Sequence, residues 1–248
     1  MIKREVIGRY RGSFLGLIWS FVNPVLMLTV YTFVFGFVFK ARWGQGEIDK
    51  FEFAMVLFAG LIVYNLFAEC ISRAPGLILS NVNYVKKVIF PLEILPWVAL
   101  GSALFHTAIN VAVLLIFLLF IGHDFFWTML WLPIVIAPFL LLIMGLSWIL
   151  ASLGVFIRDV GQLIGMVLTV LMFMSPIFYP LSALPDTIKL YLFLNPLTFM
   201  VDQVRDILLW GKQPNWPYWA IYSLVSIVFA WLGLFWFEKT RKGFADVL

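Results

Sequence analysis

Two ionisable residues, Glu69 and His106, lie inside long apolar stretches, and an ionisable side chain at membrane depth is by default a candidate for function. Glu69 lies four residues before Arg73 near the end of its stretch, so an i,i+4 ion pair at the interface explains it better than a proton relay. His106 lies mid-stretch, where we expect a neutral imidazole hydrogen-bonded to a neighbouring helix rather than a substrate contact. Together these two residues do not predict proton-coupled transport.

The sequence contains none of the common catalytic and nucleotide-binding motifs. Gly211-Lys212 lacks both the earlier glycine and the following hydroxyl residue of a phosphate-binding loop, so we do not expect ATP binding of that kind. There is no H-E-x-x-H or G-x-S-x-G motif, and the lone Cys70 excludes an internal disulfide and a cysteine-rich metal site. We therefore predict a protein that is not an enzyme and that holds no metal or cofactor of its own.

The composition is typical of a protein whose solvent is a lipid bilayer. Hydrophobic residues make up 63% of the chain and charged residues 12%, with a mean hydropathy of +1.02. Soluble domains are about half apolar and a quarter charged. The net charge of +4 comes from short basic clusters between apolar runs, without the continuous patch of a nucleic-acid-binding protein. Membrane lipid is therefore an expected partner, and nucleic acid is not.

Several apolar runs are each long enough to cross a hydrocarbon core of about 30 Å, which takes about 20 helical residues. The predicted fold is therefore an all-α integral membrane domain that fills residues 1–248. The six predicted spans are residues 17–39, 53–72, 97–121, 127–156, 162–179 and 218–237.

The distribution of basic residues predicts the orientation of these spans. An even number of crossings places both termini on one side of the membrane. If that side is the cytoplasm, eleven of the 17 Lys and Arg residues fall inside. Because positively charged loops stay in the cytoplasm, we predict a multi-pass protein of the cytoplasmic (inner) membrane with both termini cytoplasmic.

Two stretches outside the spans have the periodicity of amphipathic helices. Residues 1–16 place apolar side chains such as Ile2 and Val6 on one face and basic side chains on the other, which predicts a helix lying flat on the inner leaflet. Residues 184–210 predict outer helices that lie on the membrane surface or re-enter it, with Arg205 on a polar face.

Aromatic residues and prolines of the spans are further candidates for function. Tyr31, Phe35 and Phe39 recur every four residues, so an α-helix would align them as one stripe on which sugar rings could stack; for any one of them, packing or lipid contact is the favoured explanation. Pro24 falls in the first span, and Pro176 with Pro180 interrupts the end of the fifth. Irregular backbone at membrane depth needs shelter from protein or a water-filled cavity, which favours a pathway through the protein.

Several segments resemble the permease subunits of ABC-type polysaccharide exporters, the group that includes O-antigen, capsule and teichoic acid transporters. The resemblance covers nearly the whole chain. It rests on R-Y-R-G-S-F-L-G-L-I-W-S-F-V-N-P (9–24), V-K-K-V-I-F-P-L-E-I-L-P (85–96), F-I-R-D-V (156–160), M-S-P-I-F-Y (174–179) and N-P-L-T-F-M-V-D-Q-V-R-D-I-L-L-W-G (195–211).

This resemblance implies partners and roles for particular residues. Two copies of the chain would pair, and each would dock a separate ATP-binding subunit that holds the ATP and Mg²⁺. The substrate would be an undecaprenyl-pyrophosphate-linked glycan. Residues 81–90 would form the coupling helix that docks the ATPase, although an inner-leaflet basic loop is the simpler alternative. The docking residues are Tyr84, Val85, Lys86, Lys87 and Phe90.

Three further groups of residues follow from the same resemblance. Guanidinium groups bind phosphate oxygens well, so Arg4, Arg9 and Arg11 could attract the lipid pyrophosphate, unless they only anchor the inside of the membrane. The glycan path would be lined by Tyr31, Phe35, Phe39, Phe178 and Tyr179. The outer gate would contain Asn195, Pro196, Arg205, Asp206 and Trp210.

Three other classes of protein are weighed against this prediction. A drug or lipid exporter of the same ABC superfamily would share the topology. A membrane-embedded transferase that modifies glycans would need catalytic carboxylates or histidines clustered at one membrane face, and a secondary carrier would show inverted repeats and more intramembrane charges. The sequence favours neither of the last two.

Overall fold

The computed structural model describes residues 1–9, 15–38, 50–86, 90–192 and 194–248, and all regular structure in these ranges is helical. The α-helices are α1 (Ile2–Arg9), α2 (Trp19–Tyr31), α3 (Lys50–Arg73), α4 (Val82–Lys86), α5 (Ile94–Ile121), α6 (Leu132–Phe156), α7 (Val160–Phe173), α8 (Asp186–Leu192), α9 (Pro196–Leu208), α10 (Trp216–Arg241) and α11 (Phe244–Val247). Short 3₁₀ turns join several of them, and a π-helix (Thr32–Val38) continues α2.

Five helical segments in the described part of the chain are long and apolar enough to cross a membrane. They are Gly16–Phe35, Phe51–Gly76, Ile94–Ile121, Trp127–Phe156 and Trp216–Arg241, and they correspond to five of the predicted spans. The other predicted span, 162–179, is a helix only over Val160–Phe173. At 1.5 Å per residue this helix is about 21 Å long, less than the thickness of a hydrocarbon core, because the backbone leaves the helix before Pro176.

The contacts between helices define two ends of the bundle. One end, called here the α4 end, brings together the carboxyl ends of α3, α6 and α10 with the start of α5 and the helices α1, α4 and α11. The opposite end, called the α9 end, brings together the start of α3, the finish of α5 and the helix α9. Gly122, with φ of 75°, closes α5 there in the left-handed conformation that ends many helices.

Helix α3 lies at the centre of the bundle. In its most apolar window 78% of residues are buried, against 17% for α10 and 28% for α5. It packs against α5, α6, α7 and α9, and supplies much of the core, including Val56, Leu57 and Leu66. The helices around it expose large apolar side chains, as lipid-facing helices do.

The closest pairing of two helices is between α6 and α10. A methyl group added at Gly145 would come within 2.7 Å of the Phe229 carbonyl carbon, and one at Gly233 within 2.7 Å of the Gly145 Cα. The two backbones therefore touch at these glycines, as small residues allow in membrane helix packing. Such contact makes α6 and α10 a rigid pair.

Replacing Gly145 with alanine is expected to lower the thermal midpoint of the protein in detergent, because the added methyl overlaps backbone that has no way to rotate aside. Overpacking of this kind costs about 1–3 kcal/mol. The matched control is Gly165→Ala in α7, where nothing lies within 4 Å of the new methyl. Equal melting of the two variants in a tryptophan-fluorescence thermal ramp would contradict the close contact.

Candidate functional site

A single arginine, Arg205 of α9, ties three elements together at the α9 end. Its side chain is 1% exposed. The guanidinium Nε donates a hydrogen bond to the Val56 carbonyl of α3 at 2.8 Å. Its two terminal nitrogens donate to the carbonyls of Pro176 and Ile177, the second at 2.9 Å, in the segment that follows α7. The fixed fork of the guanidinium thus satisfies the carbonyls of Pro176 and Ile177, which lie outside the helices, and also bonds to α3.

Two neighbours complete the surroundings of Arg205. Gly60 of α3 leaves the room for it, because a methyl group at that position would lie 2.7 Å from Nη2. Burial lowers the pKa of Arg205 to about 9, so the group is still protonated at neutral pH. Burial also raises the pKa of the nearby Asp202 carboxyl, with a further rise from Asp206. A charged guanidinium held by three carbonyls is therefore a permanent feature of this site.

The placement of Arg205 on a polar, outward face is wrong. Leu197, Val201 and Leu208 lie at helical spacing on the same side of α9 and are fully buried with it. The helical spacing of these residues is visible in the sequence. The prediction failed because a charged arginine normally lies on the polar face of an amphipathic helix. The role of Gly60 was missed because nothing in the sequence pairs it with a residue so far along the chain.

Other contacts fix α9 to its neighbours. Asn195 caps the helix by accepting a hydrogen bond from the Leu197 amide at 3.0 Å, and its own amide donates to the Ser175 hydroxyl at 2.9 Å. The Thr128 hydroxyl donates to the Ile207 carbonyl at 2.8 Å. The helix predicted after Asn195-Pro196 is therefore present, but it packs against α3 and α6.

The remaining gate candidates, Pro196, Asp206 and Trp210, are half-buried. Asp206 forms an ion pair with Lys212 at 3.2 Å, and the Lys212 ammonium lies 5.1 Å from the centre of the Trp210 ring. Pro196 is the first residue of α9, and its carbonyl accepts a hydrogen bond from the Tyr222 hydroxyl at 3.0 Å. All five predicted gate residues thus belong to α9 or its flanks, with Arg205 buried and Trp210 half-buried.

The aromatic stripe predicted for the first span is only partly present. The rings of Tyr31 and Phe35 are 6.5 Å apart, and Phe35 stacks on Phe53 of α3 at 5.5 Å. Phe39 lies outside the described residues. Beyond Tyr31 the backbone is a π-helix, whose wider turn breaks the four-residue alignment assumed in the prediction. Both Tyr31 and Phe35 are half-buried and pack against the core of the chain.

The two candidates from the fifth span follow α7 rather than belong to it. The Phe178 ring stacks on Phe173 at 5.7 Å, and the Tyr179 hydroxyl donates to the Phe173 carbonyl at 3.1 Å. Both side chains are half-exposed, directly after the segment that Arg205 holds. The described contacts do not bring them together with Tyr31 and Phe35 in one chain.

The N-terminal helix α1 is joined to the end of α3 by alternating charges. Arg9 Nη2 lies 2.5 Å from Glu69 Oε1, and Arg73 pairs with Glu5. The predicted pair between Glu69 and Arg73 is present at 3.7 Å, as the weaker of the contacts that Glu69 makes. Half-exposed pairs of this kind contribute about 1 kcal/mol or less each, but they share side chains and act as one network. The network fixes α1 against the bundle.

Substituting Glu69 with glutamine is expected to loosen α1, because the Arg9 guanidinium loses its carboxylate and the i,i+4 partner of Arg73 disappears. Backbone amides of residues 5–9 should exchange with deuterium several-fold faster, as low-stability segments do. The control is Glu52→Gln, at the opposite end of α3. Unchanged exchange in the Glu69 variant at low salt would rule out the network as the anchor of α1.

Helix α1 also borders a groove of about 600 Å³. Its lining includes the basic Lys3 and Arg4 and the apolar Met1 and Ile7. Of the three arginines predicted to attract a pyrophosphate, Arg4 faces this groove, Arg9 is paired with Glu69, and Arg11 lies outside the described residues. Of the predicted helix over 1–16, the described part is α1 (Ile2–Arg9), and residues 10–14 lie outside the described residues; Gly16, with a φ of 52°, starts a new 3₁₀ turn.

The predicted docking helix over 81–90 is described only in part. Helix α4 covers Val82–Lys86, and residues 87–89, including Lys87, lie outside the described residues, as do the side chains of Val85 and Lys86. The rings of Tyr84 and Phe90 stack at 4.6 Å across this gap. The stack brings the two ends of the segment together at the α4 end of the bundle.

These features define a helical integral membrane protein, with long apolar helices around α3 and most of the described basic side chains at the α4 end. The chain belongs to the ABC-2 type transporter family, whose model matches residues 1–209. This family membership agrees with the resemblance that the sequence motifs indicated.

Relatives of known name are similar over almost the whole chain. The O-antigen export system permease protein RfbA of Myxococcus xanthus is 29% identical, over 99% of this chain and 93% of its own length. The polysialic acid transport protein KpsM of Escherichia coli is 26% identical, over 96% and 91%. The capsule polysaccharide export inner-membrane protein CtrC of Neisseria meningitidis is 25% identical, over 98% and 90%.

Proposed function

We propose that this chain is the membrane-spanning subunit of an ABC transporter that exports lipid-linked polysaccharide across the cytoplasmic membrane. The observation that carries this proposal is the end-to-end similarity to permeases named for O-antigen and capsule export. The chain is a transport permease, and ATP hydrolysis belongs to a separate subunit of the transporter.

The α4 end of the bundle faces the cytoplasm in this proposal. Most described basic side chains lie there, among them Arg4, Arg73, Arg158 and Lys242, and basic loops stay inside. The sixth crossing consists of α7 together with residues 174–177, whose backbone is irregular. Support comes from Arg205, which satisfies the carbonyls of Pro176 and Ile177 and so makes such backbone tolerable at membrane depth.

Two copies of the chain would enclose the path for the glycan. In this proposal the first span and α7 face the second copy, since both expose large apolar side chains that a protein partner could cover, such as Leu163, Val167 and Val170 of α7. In such a pair Tyr31, Phe178 and Tyr179 would line the path with aromatic rings on which sugars stack. Helices α8 and α9 would form the outer gate.

The pyrophosphate of the lipid carrier would bind in the groove beside α1. Lys3 and Arg4 supply the positive charge there, and the apolar lining suits a polyprenyl chain.

Arg4→Ser is expected to weaken export about tenfold, the equivalent of about 1.4 kcal/mol, because one charge-assisted contact to phosphate is lost. Export is measured as surface glycan per permease chain. Arg158→Ser, an exposed arginine at the same end, is the control, and equal export in both variants would remove Arg4 from the site.

The decisive experiment asks whether the chain works with an ATPase and which substrate it moves. Purification of the tagged chain from its native membrane should recover an ATP-binding subunit whose hydrolysis depends on this chain. Deletion of the chain should cause lipid-linked glycan to accumulate on the cytoplasmic side. Recovery of the ATPase without glycan accumulation would favour a drug or lipid exporter, and transport without any ATPase would overturn the proposal.

A further inference from the structure

The segment that links α3 to α5, residues 74–93, is held at three places by parts of the chain outside its own two helices. At its start, a methyl group added at Gly154 of α6 would lie 2.7 Å from the Pro75 carbonyl carbon. At its finish, the Glu93 carboxylate pairs with Arg241 at 2.7 Å, and the Glu93 carbonyl accepts a hydrogen bond from the Trp148 indole at 3.1 Å. Both ends of the segment are thus fixed to the α6–α10 pair.

The middle of the segment is held by the C-terminal helix α11. Helix α11 packs against both α4 and α6. Its first residue, Phe244, is fully buried, and its ring lies 5.9 Å from the Phe156 ring of α6 and 5.6 Å from the Phe237 ring of α10. A buried aromatic ring between two other rings contributes both area and preferred geometry, so it fixes where α11 sits.

The three contacts differ in rigidity. The pair between Glu93 and Arg241 is half-exposed, and exposed pairs contribute little. At Gly154, which has no side chain, the backbone of α6 touches the backbone of Pro75. At Phe244, a buried ring fills an apolar core. Packed contacts of this kind move as a unit because closely packed interiors do not deform continuously. Of the two, only the Phe244 contact belongs to α11, the short helix that also packs against α4.

We propose that Phe244 is a positioning residue for α4, and that α11 fastens α4 to the α6–α10 pair so that a displacement of α4 moves α6 and α10. The role in transport rests on the proposed function, in which α4 meets the ATPase. The motion of α4 would then reach α6 and α10 through the packed rings of Phe244, Phe156 and Phe237. It would also reach α3 and α5 along the chain. Helix α11, which makes these contacts, lies beyond residue 209 and so outside the part of the chain that the family model matches.

The first test does not depend on transport. In the full chain reconstituted in lipid nanodiscs, Phe244→Ala should raise deuterium exchange of the α4 amides, residues 82–86, by about tenfold or more, since the element that covers them is loosened. Val247→Ala, on the same helix and 50% exposed, should leave exchange unchanged. Phe244→Leu, which keeps most of the apolar volume, should restore most of the protection. Unchanged exchange of α4 in Phe244→Ala would overturn the fastening.

The second test measures coupling in the assembled transporter, with the ATPase subunit present. Phe244→Ala should lower glycan exported per ATP hydrolysed several-fold while the ATPase still co-purifies, whereas Val247→Ala should match the unaltered chain. Export per ATP equal to that of the unaltered chain would overturn the transmission role. If the unaltered chain recruits no ATPase, the proposed function fails, and the exchange result still decides whether Phe244 positions α4.

Discussion

Replacing Arg205 with lysine is expected to remove most of the folded protein from the membrane. Lysine keeps the charge, but its single ammonium has no planar fork with which to bond the carbonyls of Val56, Pro176 and Ile177 together. A buried charge and up to two carbonyls then lack partners, at a cost on the order of 3–5 kcal/mol. This is a large part of the 5–15 kcal/mol by which folded proteins are typically stable.

The loss is measured as the amount of chain per membrane and as its thermal midpoint in detergent. The matched control is Arg158→Lys, the same change at an exposed arginine between α6 and α7, which should behave as the unaltered chain. A second variant, Gly60→Ala, acts on the same site from α3, because its methyl would press on Nη2 of Arg205. Normal accumulation and melting of Arg205→Lys would show that the three hydrogen bonds do not hold α9 in place.

Reversing two charges in the docking segment, Lys86→Glu with Lys87→Glu, is expected to reduce export at least tenfold in a chain that is still inserted. In the proposed function this segment meets the ATPase, and a rim charge reversed opposite a complementary surface weakens association. The measurements are surface glycan per chain and the amount of ATPase that co-purifies. Both should fall together, because the defect lies in docking.

The matched control is Lys239→Glu with Lys242→Glu, which makes the same charge change near the carboxyl end of α10. Both double variants remove the same positive charge from the same end of the bundle, so an effect on insertion alone would affect them equally. Export reduced to the same extent in both would mean that the segment acts as a basic membrane loop and does not dock the ATPase.

The sequence alone determined the class of the protein and most of its long helices. In lipid, the backbone of an uncharged apolar run can form hydrogen bonds only within its own helix, so such runs predict helices. The run 127–156 is an example, and the structure reproduces both of its ends. The same reasoning found the α9 helix, because Asn195-Pro196 is a strong start signal and apolar residues recur at helical spacing. The family could also be predicted, since its motifs are spread over the chain.

Only the tertiary structure decided what the single polar residues do. Arg205 sits inside because Gly60, far along the chain, leaves space and because the break after α7 offers carbonyls; neither fact is local to α9. Likewise Arg9, although exposed, pairs with Glu69 from a distant part of the chain. The role proposed for Phe244 rests on rings from two other helices. Apolar runs form helices through local backbone hydrogen bonds, so the sequence is enough to predict them. The position of a buried charge or a packed ring depends on the distant groups that surround it, which the sequence does not show.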